Sequence, residues 1–155
     1  MRRKIALGFL FILVAWLPYV ASLMAGGVVS GGTTATARVV PLNFYLSGTC
    51  TTGSKPIRLY AQAAFTIASP WVTIAANTAP TGATLVVDVN HNATTIFTTQ
   101  ANRPAIAISG NTDDSGTADG DVTVADGEYI SVDIDQCGST AAGADVTVQV
   151  YATFD

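Results

Sequence analysis

The sequence predicts an all-β fold, an antiparallel jelly-roll-like β-sandwich of eight or nine strands behind an N-terminal hydrophobic helix. Three observations lead there. From Val39 onward, apolar residues recur at every second position in short runs, as they do in half-buried strands. Turn residues punctuate these runs roughly every 8–12 residues. After residue 38 no helical apolar period is sustained, so the folded part has no place for a long helix. Uneven strand lengths favour an open sandwich over a closed barrel.

The first 25 residues form a region of their own. Arg2, Arg3 and Lys4 precede an uncharged apolar run from Ile5 to Met24, the layout of a secretory signal. Small residues place cleavage after Ser22 or after Ala25. Left uncleaved, residues 5–24 reach about 30 Å as a helix, enough to cross a bilayer core, with Pro18 a tolerated kink. In both readings the basic start stays cytoplasmic and the remainder is exported, to the cell surface or beyond it. Lys4–Phe9 (KIALGF) also looks like a type IV prepilin cleavage site, with Gly8 before Phe9; Leu13 stands where many bacterial pilins carry glutamate. That reading makes the chain a prepilin-like filament subunit beginning at Phe9. Residues 26–38, which include GGVVSGGTTATA, read as a flexible Gly/Thr linker, and residues 39–155 as the sandwich.

Within the sandwich the alternating sets follow in order. Leu42, Phe44 and Leu46 come first, then Ile57, Leu59, Ala61, Ala63, Phe65 and Ile67, then Val72 and Ile74. Leu85, Val87 and Val89 form the next set, and Ile130, Val132 and Ile134 a later one. Val146, Val148 and Val150 close the series. Thr95–Thr98, Ala105–Ile108 and Asp121–Val124 are shorter candidates. Each set puts its apolar side chains on one face and Thr, Asp, Asn or Gln on the other. Ser47-Gly48, Thr52-Gly53, Pro80-Thr81-Gly82, Asn90-His91-Asn92, Asp126-Gly127 and Gly138 supply the turns.

Composition narrows the function classes. Apolar residues make up 49% and charged residues 12%, a balance that excludes intrinsic disorder. Beyond the basic start, Arg38, Lys55, Arg58 and Arg103 face 11 acids, a net charge of −7. So few cations cannot neutralise a nucleic-acid backbone. One histidine and two cysteines are too few for a structural zinc site, and no cofactor fingerprint is present. Cys50 and Cys137, an even pair in an exported chain, are expected to form a disulfide at one end of the sandwich.

The remaining candidates are weighed by chemistry. Asp113, Asp119 and Asp121 fall partly on the spacing of a calcium loop, but Val122 stands where the bidentate glutamate belongs, so a solvated acidic loop is the expectation. Asp133 and Asp135 share the outward face of one strand and Asp88 that of another; as a hydrolase pair they need a pocket. His91, in a turn between asparagines, has no nucleophile motif near it. Asn92-Ala93-Thr94 matches a glycosylation sequon. Tyr45, Tyr60 and Tyr151 alternate outward and Trp71 opens a strand after Pro70, so these four rings are the candidates for stacking on a glycan if one face gathers them.

Two stretches carry a resemblance. Thr78–Ala107 (TAPTGATLVVDVNHNATTIFTTQANRPAIA) and Tyr129–Val150 (YISVDIDQCGSTAAGADVTVQV) resemble a β-sandwich module that recurs in predicted structural, virion- or tail-associated proteins of tailed bacteriophages. The chain departs from that module at Ala93, where a turn glycine is usual, and at Cys137, where an apolar residue is usual. The resemblance implies an appendage module without catalysis, here behind an export segment. The expected function is therefore a non-enzymatic exported structural or attachment module of a cell surface, filament or phage-like appendage. It needs no cofactor, and its partners are copies of itself or neighbouring subunits. Membrane contact is expected only through residues 5–24. A carbohydrate-binding module is the alternative.

Overall fold

Ten strands, the long ones built on alternation of apolar with polar side chains, run between Arg38 and Phe154 in a computed structural model that describes residues 37–154. They are β1 (Arg38–Thr49), β2 (Gly53–Tyr60), β3 (Phe65–Thr78), β4 (Leu85–His91) and β5 (Thr94–Thr95), followed by β6 (Ala105–Ile106), β7 (Thr112–Gly116), β8 (Val122–Val124), β9 (Tyr129–Gln136) and β10 (Ala144–Phe154). The export segment, the prepilin-like site and all of the linker before Ala37 lie outside the described residues.

The strands pair antiparallel into two sheets. The first runs β1-β10-β3-β7, with β8 also beside β3; the second runs β2-β9-β4-β5, with β6 also beside β4. Their inner faces meet as a sandwich. Phe44, Val72, Ile74, Val146, Val148 and Val150 come from the first sheet, and Leu85, Val87, Val89, Ile130, Val132 and Ile134 from the second. Burying each such side chain is worth about 1.5–3 kcal/mol. Between β5 and β6 the chain adds Phe97, which is fully buried.

Several expectations are corrected. The run from Ile57 to Ile67 is not one strand: it breaks after Tyr60, Ala63 is exposed, and Phe65 starts β3 in the other sheet. Ile57 is 39% exposed because β2 is an edge strand. Trp71 does not open a strand. It lies inside β3, where residues 68–71 bulge opposite the single residue Tyr151. Its backbone is left-handed there (φ 50°), and its side chain packs against the core. The expected acidic loop contains a strand, β7, which pairs with β3 through Thr112, Asp113 and Gly116.

The disulfide forms as expected. Cys50 follows β1 and Cys137 follows β9, so the Cys50–Cys137 bond, with Cα atoms 5.9 Å apart, bolts the first sheet to the second. Gly138 has to be glycine at this crossing. A Cβ there would stand 1.9 Å from the Ala141 carbonyl oxygen.

Candidate functional site

Strands β1 and β2 are the edges of their respective sheets, and a cleft of about 270 Å³ lies between them. Leu46, Ile57, Ile134 and Val146 form its apolar walls, with Tyr45 and Lys55 at the polar boundary. Five large apolar side chains stay exposed among the described residues. Four of them, Val39, Tyr45, Ile57 and Tyr60, are on these two strands. One flank of the sandwich thus concentrates the large apolar side chains left exposed among the described residues. Each strand also contains a proline, Pro41 in β1 and Pro56 in β2. Proline lacks an N–H and is tolerated in sheets chiefly on edge strands, where it interrupts further ladder formation. These two edges are thus blunted against strand addition and present mainly side chains.

The same flank holds the unpaired cations. Arg38, Lys55 and Arg58 make no ion pair among the described residues. Lys55 donates to the Thr51 carbonyl and, at 3.1 Å, to its hydroxyl. Arg58 lies over the Tyr129 ring at 4.7 Å from its centroid, and Tyr129 packs on Tyr60 at 5.4 Å.

Arg103, the fourth cation, is spent internally. Its Nη2 donates to Asp88 at 3.0 Å and its Nη1 to Asp135 at 2.7 Å. Thr95 donates to the other Asp88 oxygen at 2.7 Å. Asp88 is therefore not the solvated outward acid expected from alternation. It does leave the inner face, but the segment after β5 covers it and leaves it 5% exposed. Burial raises its pKa, against the lowering effect of Thr95 and Arg103. Asp133 faces Asp88 across the β4–β9 ladder. None of the three acids lines the clefts beside β1, β7 or β5, so the pocket a hydrolase pair needs is not offered at those places.

The other titratable candidates act as clasps. His91 donates to Glu128 at 2.7 Å, Asn92 donates to the same carboxylate at 2.8 Å, and the Ala125 N–H donates at 2.7 Å. The last of these is the main reason why the Glu128 pKa is lowered. His91 is thus tied to the β8–β9 turn rather than facing solvent alone. The Asn92 side chain of the sequon is engaged there too, accepting from the Tyr129 N–H at 3.2 Å. Asp119 accepts from Thr98, from the Thr99 N–H and from Asn102, and Asp113 accepts from the Ala105 N–H and Ser115. Asp121 is exposed. The calcium-loop candidates Asp113, Asp119 and Asp121 do not converge, and no group of three or more metal-ligating side chains gathers among the described residues.

The four candidate rings separate. Tyr45 and Tyr151 alternate with the core positions of β1 and β10, placing them on the outer face of the first sheet. Between their positions an Asn43–Gln149–Thr73 hydrogen-bond ladder crosses three strands. Tyr60 belongs to the second sheet and Trp71 packs on the core, so no single platform of rings forms. Alternation alone missed Ile57, Lys55, Arg58 and Arg103. Pro41 and Pro56 suit the edge positions of their strands, but proline alone was not a sufficient signal, since Pro70 lies at the bulge of the interior strand β3. No protein-family model, curated protein or solved structure matches this chain.

Proposed function

We propose that the chain is a non-enzymatic structural or attachment module, exported to a cell surface, filament or phage-like appendage, and that it docks through the β1–β2 flank. The observation that carries this reading is the concentration of exposed apolar side chains and unpaired cations on that flank, around an apolar cleft. Asp88, Asp135 and His91, which catalysis would draw on, are instead committed to internal ion pairs and hydrogen bonds. We read the sandwich as a jelly roll. Support comes from the strand order: β1 pairs with β10, β2 with β9, and the first four strands, β1 to β4, alternate between the sheets. The Cys50–Cys137 bond suits an oxidising, extracytoplasmic setting, where disulfides persist. Resemblance to phage structural modules points the same way.

The test places a photo-reactive phenylalanine at Ile57, or at Tyr60, in the full chain within the organism that makes it. Discrete covalent adducts to a structural protein, the chain itself included, are expected from both positions. Absence of adducts at both flank positions contradicts the proposal.

A further inference from the structure

Resting on that reading, we infer that the occupant of the β1–β2 flank is a second copy of this chain, joined head to tail through its opposite, acidic edge. Charges are segregated along the chain. No acidic residue precedes Asp88, and Arg103 is the one basic residue after Arg58. Topology turns that segregation along the chain into a separation in space. β1 and β2 carry Arg38, Lys55 and Arg58 and no carboxylate. The far edge of the first sheet is made by β7 and β8, both on the side of β3 away from β10. That edge and its connections carry Asp113, Asp114, Asp119, Asp121 and Asp126, with no cation among them. Ile108, the fifth exposed large apolar side chain, lies in the link between β6 and β7 on that same side.

Each copy therefore presents a basic, apolar flank and, three strand spacings away across one sheet, an acidic one. Two acids temper the first flank without reversing it. Asp133 pairs in register with Ser54, and Asp145 accepts from the Gly48 N–H at 2.8 Å; both belong to strands one position in from the edge. A flank set against its own copy brings Arg38, Lys55 and Arg58 towards like charges, which is unfavourable. Setting it against the acidic edge pairs opposite charges and covers Ile57 and Tyr60. Such a contact is heterologous, and because its two surfaces lie at opposite edges of one sheet, repetition gives a filament or a large ring.

The experiment uses the purified full chain and two double variants. Lys55→Glu with Arg58→Glu reverses the basic flank. Asp114→Lys with Asp121→Lys cancels most of the charge of the acidic edge, at two exposed carboxylates that make no hydrogen bond among the described residues. Sedimentation velocity then follows association against concentration and salt. The wild type is expected to form a ladder of oligomers that shortens as salt rises. Each double variant alone should associate about tenfold more weakly. An equimolar mixture of the two should form dimers that neither variant forms alone, because one keeps the basic flank and the other keeps the acidic edge, which restores one native contact per pair. Dimers that survive Lys55→Glu with Arg58→Glu and ignore Asp114→Lys with Asp121→Lys would mean a flank-to-flank contact and overturn the inference. A chain monomeric at every salt concentration also overturns it. In that case, adducts from Ile57 to a different protein would leave the attachment reading standing.

Discussion

At the scale of single residues, the turn at Asn92-Ala93 is the clearest case of a local rule broken. A two-residue hairpin joins β4 to β5, and both residues are left-handed, Asn92 at φ 48° and Ala93 at φ 66°. Asparagine tolerates this conformation, whereas alanine places a Cβ against the backbone. Ala93→Gly is expected to stabilise the fold by about 1 kcal/mol, measured by chemical denaturation. Arg103 is the opposite kind of residue, correct only in its tertiary setting. Arg103→Ala leaves Asp88 buried without its cation and is expected to cost about 3–5 kcal/mol. Adding Asp88→Asn to an Arg103→Met background should recover part of that loss, since the uncompensated charge is removed. Sequence alternation put Asp88 off the inner face correctly. It could not show that the segment after β5 folds across it, because that depends on contact between residues far apart in the chain.

At the scale of elements, alternation located β1, β4, β9 and β10 with their apolar sets where the sequence places them, while the inward residues of β3 were recognised but divided between two runs. β7 escaped because its residues, TDDSG, contain no apolar alternation. An edge strand needs only ladder hydrogen bonds to one neighbour, and those are made by backbone that every residue carries. β2 was half legible for the same reason, since one of its expected core positions, Ile57, turns out to be exposed. The cysteine pair was readable from composition and compartment together. Its effect belongs to this scale because it ties the end of β1 to the end of β9. Cys50→Ala with Cys137→Ala, or reduction of the wild type, is expected to lower unfolding stability by about 4–5 kcal/mol on the chain-entropy model. The loss should be larger than that of any single exposed-site variant on the same strands.

At the scale of the whole molecule, charge governs both stability and association. Glu128, Asp119 and Asp145 have lowered pKa values, each held chiefly by hydrogen bonds to its carboxylate. A carboxyl with a lowered folded pKa contributes stability above its ordinary value, 4.5 for Glu and 3.8 for Asp. That contribution is lost as pH falls through the folded value. Asp88 has the opposite sign, because burial raises its pKa and its ionisation costs stability as pH rises. Three groups against one predict a fold that is less stable at about pH 3 than at neutrality, with Glu128→Gln flattening the profile; urea titrations across that range check it. The segregation of charge is visible in the sequence, yet only the strand order shows that its two ends face opposite ways.

Lys55 is one of two lysines in the chain, and Lys4 is the other. Zero-length carbodiimide coupling of the assembled protein, followed by peptide mapping, therefore reads the proposed contact directly. An amide is expected between Lys55 of one copy and Asp113, Asp114 or Asp121 of the next, and it should not form when salt dissolves the oligomer. Lys55 found uncoupled in the oligomer, or coupled only to Asp133 or Asp145 of its own chain, would contradict it.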